Sequence, residues 1–116
     1  MRVIIALTLA KTIPLETCDY VGADRGALIL AQHKIHMKFA VGDFDSVKKE
    51  DMTLIHQYAD EIIQLNPIKD DSDSESALRH CIERGYDDIV MVGAFGGRMD
   101  HSYYNLRLAF AFENQL

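Results

Sequence analysis

Several residue types are scarce in this 116-residue chain, and each shortage excludes a class of protein. The two cysteines, Cys18 and Cys81, lie far apart with no partner at metal-ligand spacing, which argues against a disulfide framework and a zinc site. No apolar run approaches the roughly 20 residues of a membrane-spanning helix. Twelve basic residues stand against eighteen acidic ones, so a nucleic-acid partner is not expected. These absences favour a reduced, cytoplasmic protein.

What remains has the composition of one ordinary globular domain, which we predict to span residues 1–116. Hydrophobic residues make up 48% of the chain and charged residues 26%. The acidic residues are concentrated, because ten of them lie between Asp43 and Glu75 together with only three basic residues. A solvated acidic face would explain this cluster, and so would a site that binds cations.

Short apolar segments alternate with helical patterns along the chain. Five segments read as strands: Val3–Leu7, Tyr20–Ala23, Phe39–Val41, Ile62–Leu65 and Ile89–Val92. Helical spacing of apolar residues predicts helices around 27–31, 52–58 and 77–82, and a last helix marked by Tyr103, Leu106 and Phe110. Strands that are apolar on both faces indicate a sheet covered on both sides. The predicted fold is therefore α/β: an open, mostly parallel sheet of about five strands with helices on both faces, a Rossmann-like arrangement of three layers.

In such a sheet, ligands bind beyond the carboxyl ends of the strands. Four loops follow predicted strands: Gly22–Asp24, Gly42–Ser46, Lys69–Asp73 and Gly93–His101. They carry seven aspartates: Asp24, Asp43, Asp45, Asp70, Asp71, Asp73 and Asp100. Two like charges about 4 Å apart repel by about 4 kcal/mol at an effective dielectric constant of 20. We therefore expect cations at this edge of the sheet.

The first two acidic motifs each have two interpretations. In Gly42–Ser46, two short carboxylates at positions i and i+2 suit a hard cation such as Mg²⁺. The same residues also fit an Asx turn in which Asp45 or Ser46 caps the next helix. The Asp70–Asp73 segment precedes a helix whose dipole would stabilise acids, although three acids exceed what capping requires.

The Gly93–His101 loop is rich in glycine and contains one arginine. Glycines allow backbone amides to approach a phosphate, and Arg98 could hold phosphate oxygens with its two-pronged guanidinium group. His101 fits either a general base or a polar surface residue.

In this order, the motifs resemble the catalytic domain of thiamine pyrophosphokinases. The segments that carry the resemblance are Gly22–Ala27, Gly42–Ser46, Lys69–Leu78 and Gly93–Leu106. The pair Gly-Asp-Phe-Asp-Ser and Gly-Gly-Arg-Met-Asp-His is its most specific part. The resemblance implies transfer of a pyrophosphoryl group from ATP to the hydroxyl of thiamine, giving thiamine diphosphate and AMP, with Mg²⁺ as cofactor.

The resemblance also implies roles for individual residues. The residues that match magnesium ligands are Asp43, Asp45, Asp70, Asp73 and Asp100, of which Asp43, Asp73 and Asp100 also match catalytic positions. The expected contacts to the nucleotide are Asp24, Gly26, Ser46, Gly96, Gly97, Arg98, His101 and Asn105. Asp43 or Asp100 would accept the proton of the thiamine hydroxyl. Arg25 departs from the family pattern, which usually has glycine there.

Members of the family continue into a β-rich C-terminal domain that helps to bind thiamine and to form a dimer. On this resemblance, residues 1–116 correspond to the N-terminal catalytic domain, either excised from such a protein or from a short relative. The implied partners are ATP, thiamine and a second copy of the chain, with neither nucleic acid nor membrane.

Two alternative functions stay open at this point. One is a non-catalytic module that binds a nucleotide or dimerises, which the missing second domain would explain. The other is a phosphatase similar to the haloacid dehalogenases, in which Asp43 would be the nucleophile that accepts the phosphoryl group. The second alternative leaves the arginine loop unexplained.

Overall fold

The structure is a computed structural model that describes residues 1–7, 13–45, 47–65, 73–93 and 103–107. Within these ranges lie the strands β1 (Arg2–Ala6), β2 (Asp19–Ala23), β3 (Phe39–Gly42), β4 (Ile62–Gln64), β5 (Asp88–Val92) and β6 (Tyr103–Arg107). The helices in the same ranges are α1 (Arg25–Gln32), α2 (Lys49–Tyr58) and α3 (Asp73–Glu83). None of the helices in these ranges has the length and apolarity needed to cross a membrane.

The strands form one sheet in the order β4-β3-β2-β1-β5-β6. Strands β1 to β5 run parallel to one another, and β6 runs antiparallel to β5. The chain moves outward from β1 to β4 and then returns through α3 to place β5 on the other side of β1. The predicted α/β class with a mostly parallel sheet is confirmed.

Side chains on the two faces of the strands enter two separate cores. This agrees with the prediction of a sheet covered on both sides, which was made from strands that are apolar on both faces. On one face Ile4 and Tyr20 pack with Leu30 of α1 and Ile55 of α2. On the other face Val3, Ile5, Val21 and Phe39 pack with Ala77 and Cys81 of α3. Each fully buried side chain of this size contributes about 1.5–3 kcal/mol through the hydrophobic effect. Helices therefore cover both faces of the sheet.

Both cysteines are free thiols, in agreement with the sequence. Cys18 is half-buried against the first core, and Cys81 is fully buried in the second. Burial raises the pKa of the Cys81 thiol to about 12. Cys81 therefore behaves as a small core residue.

The prediction of a last helix at Tyr103 and Leu106 is wrong, because residues 103–107 form strand β6. The spacing of apolar residues suggested a helix, but adjacent tyrosines favour extended backbone. In β6 these residues supply backbone hydrogen bonds to β5, whose outer edge would otherwise be unpaired within the sheet. Pairing with a strand that is distant along the chain overrides the local pattern.

The amino edge of the sheet, where β1 to β5 begin, carries a series of contacts between acidic groups and basic groups. The contacts are Met1 N with Asp87 (2.7 Å), Arg2 with Glu16 (2.7 Å) and Asp88 (2.8 Å), His36 with Asp60 (2.6 Å), and Arg84 with Glu61 (2.7 Å). The hydroxyl of Tyr86 also donates to Asp19 at the start of β2 (2.5 Å). These contacts link the segments that lie at the starts of different strands.

Candidate functional site

The candidate site lies at the carboxyl edge of the sheet, where β1 to β5 end. β2 ends at Ala23 and is followed directly by Asp24, and β3 ends at Gly42 and is followed by Asp43. Ala23 is aligned with Val41 because the two strands are paired in parallel. The turns after β2 and β3 therefore meet at the same place.

Asp24 occupies an unusual backbone conformation between β2 and α1. Its φ of 52° and ψ of −118° are strained for a residue with a side chain. Its backbone N–H donates to the carbonyl oxygen of Val41 (2.8 Å), and its Oδ1 accepts from the backbone N–H of Phe44 (3.0 Å). The Asp24 side chain makes no capping hydrogen bond to α1. Its carboxylate thus joins the two turns to each other.

The turn after β3 is anchored by a buried aromatic side chain. Phe44 has a positive φ of 59° and is only 6% exposed, within the core that also contains α1 and α2. Gly42 has a φ of 154°, and a Cβ there would lie 3.0 Å from Asp24 Oδ1. Glycine is therefore needed where the two turns touch. The half-buried Asp43 and the exposed Asp45 flank the anchored Phe44.

Asp43 and Asp45 are linked by a local hydrogen bond. The backbone N–H of Asp45 donates to Asp43 Oδ1 (3.1 Å), which is the Asx turn considered above. The N-cap of α2 is Lys48, so the expectation that Asp45 caps this helix is wrong. The end of β4 supports the turn as well, because Gln64 Nε2 donates to the carbonyl oxygen of Asp43 (2.7 Å). Nothing in the sequence selects Gln64 beyond its place near the end of a predicted strand.

The negative charges of Asp43 and Asp45 both act on the carboxyl group of Asp24. The pKa of Asp24 is raised, first by burial and then by the negative charges of Asp43 and Asp45. The Phe44 N–H and the charge of Arg25 act in the opposite direction on that pKa. In the described part of the chain, no ion pair includes Asp24, Asp43 or Asp45.

The described residues include only some of the five aspartates that the sequence predicts as metal ligands. Over the ranges that the structure describes, no group of three or more His, Cys, Asp or Glu side chains is arranged to hold a metal ion. Asp73 is the first residue of α3, which follows β4 at this edge. Asp70 and Asp100 lie outside the described residues. The complete set of five aspartates remains a prediction.

The remaining predicted nucleotide contacts are distributed as follows. Gly26 lies where α1 crosses β1, and an added Cβ would fall on the carbonyl oxygen of Ala6, so close packing explains this glycine. Asn105 lies in the middle of β6 opposite Val90, where the sequence pattern predicted a helix. The others lie outside the described residues: Ser46, Gly96, Gly97, Arg98 and His101.

The strand order adds one region that the sequence pattern missed. The direction of strand addition reverses between β1 and β5, and ligands of such sheets bind at this reversal. The segments after Leu7 and after Gly93 therefore flank the expected crevice, although residues 8–12 and 94–102 lie outside the described residues. The loop after β1 was not selected because apolar runs do not specify which strands are neighbours.

Comparison with known proteins gives a consistent result. The family model described as "Thiamin pyrophosphokinase, catalytic domain" matches residues 15–116. A thiamine pyrophosphokinase of Bacillus subtilis (strain 168) is 32% identical over 91 residues, which cover 78% of this chain and 42% of that protein.

Solved structures agree with the sequence matches. A crystal structure of a thiamin pyrophosphokinase family protein from Enterococcus faecalis is 35% identical with a TM-score of 0.74, covering 86% of this chain and 50% of that one. A probable thiamine pyrophosphokinase from Staphylococcus saprophyticus is 38% identical with a TM-score of 0.60, covering 87% of this chain and 53% of that one. The chain thus spans about half the length of these relatives.

Proposed function

The chain belongs to the thiamin pyrophosphokinase catalytic-domain family, and on that premise we propose that it is the nucleotide- and magnesium-binding part of an enzyme that makes thiamine diphosphate. The reaction would transfer a pyrophosphoryl group from ATP to the hydroxyl of thiamine and release AMP. The observation that carries the proposal is the convergence of Asp24, Asp43 and Asp45 on two interlocked turns at the carboxyl edge.

The donor set of this edge fits Mg²⁺. Asp43 and Asp45 offer short carboxylates, which are the hard oxygen ligands that this ion prefers. We propose that Asp70, Asp73 and Asp100 complete the set. A bound Mg²⁺ would neutralise charge on the phosphates of ATP.

The residues of the chain would position the reacting groups. The buried Phe44 and the hydrogen bond from Gln64 to the carbonyl oxygen of Asp43 hold the backbone at Asp43, so that its carboxylate needs little rearrangement when the substrates bind. In the proposed step the thiamine oxygen forms a bond to the β-phosphorus of ATP. The bond between that phosphorus and the oxygen that bridges it to the α-phosphorus breaks, and this oxygen leaves with AMP. Asp43 or Asp100 would take the hydroxyl proton, and Arg98 would bind phosphate oxygens.

The remaining partners are proposals of the same kind. Thiamine would be bound with the help of a β-rich domain outside residues 1–116, and two copies of the whole protein would form a dimer. The matched family favours this activity over the phosphatase that uses Asp43 as a nucleophile.

The test is an assay of AMP formation with ATP, omitting thiamine or Mg²⁺ in turn. We expect AMP only when both are present. Asp43→Asn should lower the rate by about a hundredfold or more, since one ligand and proton acceptor is lost. Asp60→Asn, an exposed acid at the amino edge, is the matched control and should leave the rate unchanged.

Other outcomes would identify the alternatives. Nucleotide binding without AMP formation, under all conditions, would support a binding module. Release of inorganic phosphate without thiamine, with phosphate trapped on Asp43, would support the phosphatase. Either result would overturn the proposed function.

A further inference from the structure

We propose that Asp24 is a positioning residue whose carboxylate fixes the turn after β3, residues 42–45, in the conformation that presents Asp43 and Asp45 together. The use of that turn for Mg²⁺ and ATP rests on the proposed function, whereas the fixing of the turn does not. Asp24 would act through Asp43 and Asp45 and not by touching the metal or the nucleotide.

The first support is the bond itself. Phe44 has a left-handed backbone, which is unfavourable for an aromatic residue and persists only when its surroundings hold it. Its N–H donates to Asp24 Oδ1 at 3.0 Å. Asp24 therefore holds the central residue of the turn by its backbone.

The second support is that Asp24 is itself held firmly. Its own N–H donates to Val41 at the end of β3 (2.8 Å), and its carbonyl oxygen accepts from the N–H of Ala27 in α1 (3.0 Å). Gly42 packs against it so closely that a Cβ would lie 3.1 Å from the Asp24 Cα. The carboxylate is thus attached to a backbone that is fixed by two neighbouring strands and a helix.

The third support is the direction in which the carboxylate bonds. An aspartate immediately before a helix ordinarily caps the free amides of that helix. Asp24 precedes α1 but makes no capping bond, and its oxygen bonds to the turn of the neighbouring strand instead. A role confined to the stability of α1 would not produce this arrangement.

Positioning and direct ligation predict opposite results for two conservative variants. Asp24→Asn keeps an oxygen acceptor in the same place and removes the charge. Asp24→Glu keeps the charge and displaces the acceptor by one methylene. A positioning residue tolerates Asn better than Glu, whereas a residue that touches the metal or the phosphates by its charge tolerates Glu better than Asn.

The experiment uses the full chain and measures two quantities. The first is hydrogen exchange of the Phe44 amide, followed by NMR without metal or nucleotide. Asp24→Gly, which accepts the positive φ without strain, should speed this exchange by about tenfold or more. Asp24→Glu should do the same, and Asp24→Asn should stay within about threefold of the native chain.

The second quantity is the Mg²⁺ concentration that gives half-maximal AMP formation. It should rise by about tenfold or more in Asp24→Gly and Asp24→Glu, and Asp24→Asn should recover most of the change. Asp60→Asn is again the control for removal of a carboxylate elsewhere. If Asp24→Gly does not fold, the Asn and Glu variants decide the question alone.

Two results would overturn the inference. One is unchanged Phe44 exchange in the Gly and Glu variants. The other is a magnesium dependence more damaged by Asn than by Glu. If the native chain makes no AMP, the proposed function fails while the exchange measurement still tests the positioning role.

Discussion

The acidic residues at the two edges of the sheet have different kinds of partner. At the amino edge, Asp87, Asp88 and Glu61 each contact a cationic group of the same chain at 2.7–2.8 Å. At the carboxyl edge, the described hydrogen bonds of the Asp24 and Asp43 carboxylates come from backbone amides. The ion pairs of the amino edge neutralise one another, whereas the Asp24, Asp43 and Asp45 carboxylates, which form no ion pair within the described residues, leave negative charge for a cation to neutralise.

Backbone strain also distinguishes the two edges. Asp24 and Phe44, two of the three non-glycine residues with positive φ among those described, belong to the interlocked turns of the carboxyl edge. Strained residues persist where the surrounding structure holds them, and they are frequent at functional sites. Among the described residues, the carboxyl edge thus combines carboxylates that form no ion pair with a fixed and strained backbone, which is the arrangement expected of a preorganised binding site.

The largest expected effect comes from glycine substitutions that compare the packing of the two edges. Gly26→Ala should destabilise the chain by about 3 kcal/mol, because its Cβ would fall on the backbone of Ala6. Gly85→Ala, near the amino edge, should cost only about 1 kcal/mol, since its surroundings are open and only its φ of 94° is unfavourable. Urea unfolding of the two variants measures both values. Equal losses would show that α1 can shift away from β1 and that the carboxyl edge is not held tightly.

A smaller effect is expected from removing one charge at each edge. Arg2→Met should lower the free energy of unfolding by about 1–2 kcal/mol, because it removes the ion pairs that Arg2 forms with Asp88 and Glu16. Asp45→Asn should leave the stability unchanged or raise it, because repulsion of Asp24 is reduced. The measurement is urea unfolding at neutral pH without divalent ions. A loss of stability in Asp45→Asn would mean that this carboxylate has a cationic partner within the chain. The acidic residues of the two edges would then no longer differ in their partners.

Local patterns were sufficient to predict the five parallel strands and the helices that cover them. Val3 to Leu7 and Ile89 to Val92 are apolar on both faces, which by itself requires covering on both sides. The rule that sites lie beyond the carboxyl ends of strands then selected the loops of Asp24 and Asp43. This much follows because burial and strand direction are properties of short segments.

Features that depend on which strands become neighbours were not predictable. The bond between Asp24 and Phe44 requires β2 to pair with β3, and it requires positive φ at two residues that are not glycine. The antiparallel β6 requires β5 to have an open edge, so its local spacing was misread as helical. The close packing of Gly26 against Ala6 depends on how α1 lies on β1, and the local sequence does not specify it.

The smallest expected effect is a difference in how the two edges respond to pH. The pKa of Asp24 lies above its ordinary value of 3.8, chiefly because of burial, so the folded chain holds this proton more tightly than the unfolded chain. Its contribution to stability is present below pH 3.8 and is lost as the pH rises through the raised pKa. The pKa of Asp87 lies below 3.8, chiefly because of its hydrogen bond with the N-terminal ammonium group. Its contribution is present above pH 3.8 and is lost as the pH falls through the lowered pKa.

Urea unfolding across this pH range, for the native chain, Asp24→Asn and Asp87→Asn, separates the two contributions. The stability of the native chain relative to Asp24→Asn should fall as the pH rises above 3.8. Relative to Asp87→Asn it should rise with pH up to about the same value and then stay level. If both differences rise with pH, Asp24 is stabilised as an anion by the chain itself. The carboxyl edge would then be a second set of satisfied charges, with no negative charge left for magnesium to neutralise.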